Sequence, residues 1–286
     1  MPITTLSEQL KTARRERYAV GQFNVVNHDF FEAIMDAAEA SRSPVIVAVA
    51  EVHFPFCRLA PLYPAIKERV ESSSIPVALH LDHGLSVDSV LDSLDEGFTS
   101  AMFDGSALPY KENVEKTRRV VEACRTRGVS VEAELGAGGG DEGGGLESEA
   151  DPSLFTDPEQ AREFVQTTGV DALAVAIGNA HGKYKREPKL DLDRLADVAE
   201  ATRLPLVLHG GSGIPDADMR GAIERGIAKI NFFTGMAQGA AEATADYLKN
   251  AGGKYNDYPE MLASVKRRVT DIVRAQMALF GSEGKA

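Results

Sequence analysis

Cysteine is scarce in this chain: Cys57 and Cys124 are the only two in 286 residues. That excludes a disulfide framework and favours a reducing compartment, so a cytoplasmic location is expected. Cys124 falls in the helical pattern VVEACRTRG and reads as a small buried apolar residue, whereas Cys57 lies in a loop-like stretch. Long apolar runs are missing as well. Nothing approaches the roughly 18 residues that mark a membrane span. The N-terminal MPITTLSEQLKTARRERY lacks the apolar centre of a signal peptide and reads as an amphipathic helix. Basic charge is also short, with 31 Lys and Arg against 43 Asp and Glu and a net charge of -12. That balance argues against a nucleic-acid partner and against an anionic membrane surface. Any phosphate site has to be local, made from backbone N–H groups and a few basic side chains.

What is present is a regular alternation. Eight short apolar runs occur at 19–25, 44–50, 76–82, 100–104, 129–135, 172–178, 204–209 and 227–233. Helical patterns separate most of them. Phe30, Phe31, Ile34 and Ala37 or Ala38 form one stripe, Val114, Val120, Val121 and Cys124 another. Met261, Val265, Val269, Ile272, Val273 and Phe280 form a third. Glycine or proline marks many junctions, among them Pro44, Pro76, Gly128 and Pro205. Eight strand–helix repeats argue for a parallel sheet closed into a (β/α)8 barrel, one domain over 1–286 with an extra N-terminal helix and a C-terminal helical extension. A doubly wound open sheet is the competitor, but the turn after the first run reads NVVNHD and lacks the dinucleotide glycine pattern. The glycine-rich stretch at 136–152, GAGGGDEGGGLESEADP, favours no stable element. It is either a surface linker or, because it follows the fifth run on the face where barrels keep their chemistry, an active-site lid.

Three of the apolar runs finish near histidine followed by glycine: His83 in ALHLDHG, His181 in AIGNAHG and His209 in LVLHGGSG. One such histidine reads as a hydrogen-bonded core residue. Three at equivalent ends read as metal ligands, with positions left open for substrate oxygens. Other polar residues gather at the same ends: Asn24, Asp82, Asp104, Glu132, Glu134 and Asn231. Asp82 is either an acid–base group or a structural carboxylate. Asp104 and Glu134 either ligate metal or hold the ligand imidazoles from behind, the latter being the default. Glu132 reads as a barrel-interior polar contact. Gly210-Gly211-Ser212-Gly213 is a helix-entry turn or a backbone cradle for phosphate, and Asn231 to Thr234 at the next end strengthens the cradle. His28 and His53 end no buried run and are left outside the metal set.

These motifs resemble a known family. HLDHG, SAMFDGS, VEAELG, the glycine-rich stretch, GVDALAVAIGNAHGKY, LPLVLHGGSGIPDAD and AKINFFT occur in the order seen in class II, metal-dependent ketose-phosphate aldolases. The resemblance covers nearly the whole chain, including the terminal FGSEGKA. It implies a (β/α)8 barrel, a homodimer or homotetramer, and a phosphorylated sugar substrate split to dihydroxyacetone phosphate and an aldehyde. It also implies one catalytic zinc ion on His83, His181 and His209, with a monovalent cation as an option. Asp82 then resembles the acid that protonates the aldehyde oxygen in condensation, and Glu142 in the lid the base that deprotonates dihydroxyacetone phosphate. Asp104 and Glu134 correspond to a second or displaced metal position. Asn24, Gly182, Lys185, Gly210, Gly211, Ser212, Asn231 and Thr234 match substrate contacts.

The chain departs from that pattern mostly on the aldehyde side, and also in the lid, where Gly139-Gly140-Asp141-Glu142-Gly143 stands for Gly-Gly-x-Glu-Asp. Ala50 stands near a serine position after the second run, EVHFPF replaces a Ser-x-Gly-Ala stretch, and Gly235 follows Thr234 where Asp or Glu is usual. Phe232 and Phe233 add bulk. The expectation is a retained dihydroxyacetone phosphate half and an aldehyde other than glyceraldehyde 3-phosphate. A fructose- or tagatose-bisphosphate aldolase proper is the alternative. A zinc hydrolase on the same barrel, or a non-catalytic phospho-sugar binder, accounts less well for the glycine loop, Asp82 and Glu142.

Overall fold

The eight apolar runs all become strands. The computed structural model describes residues 3–136, 147–148, 151–252 and 257–286. Its strands are β1 (Val20–Asn24), β2 (Val45–Ala50), β3 (Val77–Gly84), β4 (Ser100–Phe103), β5 (Ser130–Leu135), β6 (Glu147–Ser148), β7 (Ala172–Val175), β8 (Lys183–Tyr184), β9 (Leu206–Leu208) and β10 (Ile227–Asn231). Eight of them close a barrel in the order β1-β10-β9-β7-β5-β4-β3-β2, with every neighbouring pair parallel. A parallel pair needs a crossover, and right-handed crossovers put the helices outside. The helices are α1 (Leu6–Glu16), α2 (His28–Ser41), α3 (Leu59–Glu71), α4 (Val87–Ser93), α5 (Tyr110–Thr126), α6 (Pro158–Thr168), α7 (Leu192–Thr202), α8 (Asp216–Glu224), α9 (Thr234–Asn250) and α10 (Tyr258–Leu279).

The N-terminal helix plugs the barrel floor. Thr5 and Glu8 form a reciprocal capping box at its start, and Arg17 ends it in the left-handed conformation. Leu6, Leu10 and Ala13 cluster with Ile46, Ala78, Ala172, Ala174, Val207 and Ala228, buried residues of five barrel strands. Most of these strand residues are alanines, which leave room for the two leucines. At the other end of the chain α10 packs along α2 and α9. With one mouth closed in this way, the open one is where the strands end.

Strand bounds shift from expectation at two functional places. The third run continues through His83 to Gly84, and the sixth stops at Val175, before His181. The glycine-rich stretch was expected to hold no element, yet Glu147–Ser148 pairs in parallel with Lys183–Tyr184. The remainder of that stretch from 137 to 146, with Glu142, lies outside the described residues.

Candidate active site

Three local devices carry the three histidines to one place. His83 lies inside β3, where adjacent side chains normally point to opposite faces. Its φ of 46 is left-handed, and the pairing of β3 with β4 shifts register between Leu81 and Gly84. This break in alternation lets Asp82 and His83 face the same side, with Asp82 Oδ1 4.0 Å from His83 Nε2. Such a conformation costs about 1–3 kcal/mol in a non-glycine residue and survives only where the surroundings hold it. Here the Asp104 N–H donates to the Gly84 carbonyl at 2.9 Å. His209 directly follows β9.

His181 is placed by a loop. The Asn179 side chain accepts from the Ile177 N–H at 2.9 Å and donates to the His209 carbonyl at 3.2 Å. The Tyr184 hydroxyl accepts from the Ala180 N–H at 2.9 Å and donates to the Gly210 carbonyl at 2.9 Å.

The three rings converge. His209 Nδ1 is 2.8 Å from His83 Nε2 and 3.3 Å from His181 Nε2. A tetrahedral ion with bonds of ~2.0–2.1 Å spaces nitrogen ligands by roughly 3.3 Å. The outward nitrogens of two rings meet carboxylates: His83 Nδ1 lies 2.8 Å from Asp104 Oδ2, and His209 Nε2 lies 2.9 Å from Glu132 Oε1. Each carboxylate can only accept while ionised, so each ring places its proton there. With the protons so placed, His83 Nε2 and His209 Nδ1 face each other at 2.8 Å as lone-pair donors, with Asn231 Nδ2 3.4 Å from the latter, and a cation beside them would satisfy both. Burial, and then the His83 ring, holds His209 well below its usual imidazole range, which keeps it a neutral donor. These residues fit a divalent metal.

Asp104 and Glu134 extend the cluster; their ligand atoms and those of His83 all lie within 4.8 Å of one another. Their surroundings push their carboxyls in opposite directions. Burial works against the Asp104 charge, but the His83 ring and the Ser106 hydroxyl and N–H hold its carboxyl well below the ordinary range. Glu134 is pushed up to about 8, by burial first and the Asp104 carboxylate second.

Asp82 sits beneath the rings, fully buried. Its Oδ2 accepts from Asn24 Nδ2 at 2.8 Å and its Oδ1 from Asn231 Nδ2 at 3.0 Å. Behind these amides stand Gln22, which donates to Asn24 Oδ1 at 3.2 Å, and Lys229, which donates to Asn231 Oδ1 at 2.8 Å. Lys229 also meets both oxygens of Glu132, at 2.8 and 3.0 Å. His80, whose Nδ1 lies 2.8 Å from Ser100 Oγ, completes the buried polar floor. Sequence reading placed Glu132 in the barrel interior, where it is, but passed over Gln22, His80 and Lys229. The available signal was the same one used for the histidines: a polar residue at an inward position of a strand otherwise apolar.

Some of the residues expected to cradle phosphate share one cleft and others are engaged elsewhere. Gly182, Lys185, Ser212 and Thr234 line one cleft of about 380 Å³ with Lys183, Arg186 and Gly235. The N-terminus of α9 opens toward it, and the Gly235 N–H donates to Ser212 Oγ at 3.0 Å. Gly211 differs from expectation because its N–H donates to the Asn231 carbonyl at 2.9 Å, joining the ends of β9 and β10. Asn24 and Asn231 likewise spend their amides on Asp82.

The departing residues do not share one wall: Phe232 and Gly235 line the cleft beside Ser212 and Thr234, whereas Ala50, His53 and Phe233 are not among its lining residues. Ala50 pairs in register with Asp82. The His53 ring packs on Phe233 with centroids 4.6 Å apart, and Phe232 meets Phe23 edge-on. A methyl group on Gly235 would lie 2.5 Å from the Phe232 ring, so the glycine goes with the phenylalanine. His28 stands at the start of α2, 3.8 Å from Glu32, away from the cluster.

The family model for class-II fructose-bisphosphate aldolase matches residues 4–285. The chain belongs to that family. It is a class II aldolase, a carbon–carbon lyase of the metal-dependent kind. The aldolase is 41% identical over 290 residues to a probable fructose-bisphosphate aldolase of Bacillus subtilis, with 100% of each chain covered. It is 40% identical over 292 residues to a fructose-bisphosphate aldolase of Staphylococcus aureus, again over 100% of each. Among solved structures it resembles the YdjI aldolase of Escherichia coli K12, with a TM-score of 0.88, 35% identity and 99% of both chains covered.

Proposed function

We propose that this aldolase reversibly cleaves a ketose 1-phosphate or ketose bisphosphate to dihydroxyacetone phosphate and an aldehyde, with zinc on His83, His181 and His209. The observation that carries the reading is the convergence of three imidazole nitrogens within 4.8 Å beside a buried carboxylate. When bound, the ion supplies Lewis-acid polarisation of the substrate carbonyl. In cleavage Asp82 takes the proton from the hydroxyl on the carbon that leaves as aldehyde, and in condensation it returns that proton. Its two asparagine partners hold both oxygens in place for the transfer. Glu142, outside the described residues, moves the carbon-bound proton of the dihydroxyacetone phosphate half. Ser212, Gly182, Lys185, Thr234 and the start of α9 hold the phosphate. Asp104 and Glu134 orient His83 and offer a second metal position.

On the same reading the chain is one barrel domain over 1–286 with 136–152 as its lid, and it works in the cytoplasm as a homodimer or homotetramer. No described helix is long and apolar enough to cross a membrane. The aldehyde is other than glyceraldehyde 3-phosphate, because the chain leaves the family's pattern at Ala50, in register with Asp82, and at the packed pair His53 and Phe233. The names of the relatives support the second reading, a fructose- or tagatose-bisphosphate aldolase proper.

One set of assays decides. Metal-replete enzyme is given fructose 1,6-bisphosphate, tagatose 1,6-bisphosphate and a panel of ketose 1-phosphates, with and without a chelator. Chelation is expected to abolish cleavage, and borohydride with substrate is expected to trap nothing. Preferential cleavage of a bisphosphate would overturn the aldehyde half of the proposal. Cleavage that survives complete metal removal would overturn the metal half.

A further inference from the structure

Lys229 lies on the inner face of β10, fully buried, and its ammonium is shared between two parts of the site. One arm goes to Glu132, which meets His209 Nε2 at 2.9 Å. The other goes to Asn231 Oδ1, and the amide nitrogen of Asn231 then reaches Asp82 Oδ1 at 3.0 Å. We propose that Lys229 is a positioning residue that sets the hydrogen-bond direction of both the metal ligand His209 and the proton-transfer residue Asp82. The inference rests on the metal reading above and adds a control point beneath it.

An ammonium can only donate. An amide facing it must therefore present its oxygen, and the Asn231 nitrogen is left to point at Asp82. Lys229 and the Asp82 carboxylate select the same amide orientation from its two ends, and without Lys229 only Asp82 opposes a flip. The same ammonium balances the buried charge of Glu132. A balanced carboxylate stays on His209 Nε2, and that keeps the His209 proton there and leaves Nδ1 as the lone-pair end toward His83 and His181. On the other side Gln22 donates to Asn24 Oδ1, but its amide carries an acceptor as well as a donor, and it has no second arm to a metal ligand. A lysine that merely stabilised the barrel would predict neither link.

The test titrates cobalt(II) into metal-free protein, read by visible absorption, and measures turnover with the best ketose phosphate of the panel. Lys229→Met is expected to weaken cobalt binding about 10–100-fold, the usual loss for an outer-sphere partner, and to lower kcat. Glu132→Gln/Lys229→Met removes both charges and keeps an acceptor for His209. It is expected to recover cobalt binding to within a few-fold of wild type while kcat stays low. In an Asn231→Ala background, Lys229→Met is expected to change kcat far less than in wild type. Unchanged cobalt affinity and kcat in Lys229→Met, with only Tm lowered, would overturn the inference. If that variant fails to fold, the charge-balanced double variant decides, and wild-type kcat there is the overturning result. His83→Ala separates the two layers. Cobalt binding lost in His83→Ala but intact in Lys229→Met sinks only the role of Lys229, whereas binding unaffected by His83→Ala sinks the metal reading itself.

Discussion

Gly210 has no room for a side chain. A Cβ there would lie 2.0 Å from the Ala180 carbonyl oxygen, and its φ of 62 is left-handed. The residue stands between His209 and the Tyr184 contact that fixes the His181 loop. Gly210→Ala should therefore push apart two of the three ligand loops and add about 1–3 kcal/mol of backbone strain. Metal affinity measured on the folded fraction is expected to fall at least tenfold; affinity equal to wild type would show that the loops are positioned by something else. Asp82 gives the complementary result. Asp82→Ala should eliminate cleavage while leaving metal affinity near wild type, whereas His83→Ala should lose both, and undiminished turnover in Asp82→Ala would contradict its proton-transfer role. Much of this constellation was legible in the chain because histidine and aspartate at the ends of apolar runs are costly unless used. Lys229, His80 and Gln22 were harder to see, since nothing local reveals that three inward polar residues from different strands complete one another. The left-handed turn at His83 was equally hidden, because a strand pattern says nothing about where alternation breaks.

Single elements are fixed by simpler rules. Apolar runs placed all eight barrel strands, and amphipathic stripes placed helices between and after them. The errors fell at strand ends, where the hydrogen bonds of Asn179 and Tyr184 rather than hydrophobicity decide the course of the chain. Between elements, α2 and α3 are joined by an ionic clasp. Arg69 donates to both oxygens of Glu39 at 2.6 and 2.8 Å, and Ser73 adds a third bond at 2.7 Å. The Arg69 hydrogen bonds hold the Glu39 carboxyl below its ordinary 4.5. A carboxyl lowered on folding adds stability that is complete above its unfolded pKa and is lost as pH falls through the folded one. Glu39→Gln should therefore cost about 1 kcal/mol at neutral pH, a partly exposed bidentate pair being worth no more. The gap from wild type should close as pH drops below 4.5. Urea melts at neutral and acidic pH check this; a gap constant with pH would remove the ionic explanation.

At the scale of the molecule, the proposed ion ties together chain segments far apart in sequence. His83 comes from the end of β3, and His181 and His209 from the connections after β7 and β9, and none of the three places holds its shape by apolar packing alone. The N-terminal half of the barrel meets the C-terminal half at the site, so occupancy should be read as global stability. An ion at a hundred times its dissociation constant adds about 2.7 kcal/mol. For a chain of this length that corresponds to a rise in Tm of about 4–5 °C. Metal-replete and chelated wild type, compared by calorimetry at one ionic strength, should differ by that amount. The difference should vanish in His83→Ala, because the remaining two imidazoles make a much weaker site. It should persist in Asp82→Ala, whose carboxylate leans on asparagines and lies beside the ligand set rather than in it. An equal shift in wild type and His83→Ala would mean that the stabilising ion sits elsewhere. The net charge of -12 makes such surface sites a real competitor, and only the histidine variant tells them apart.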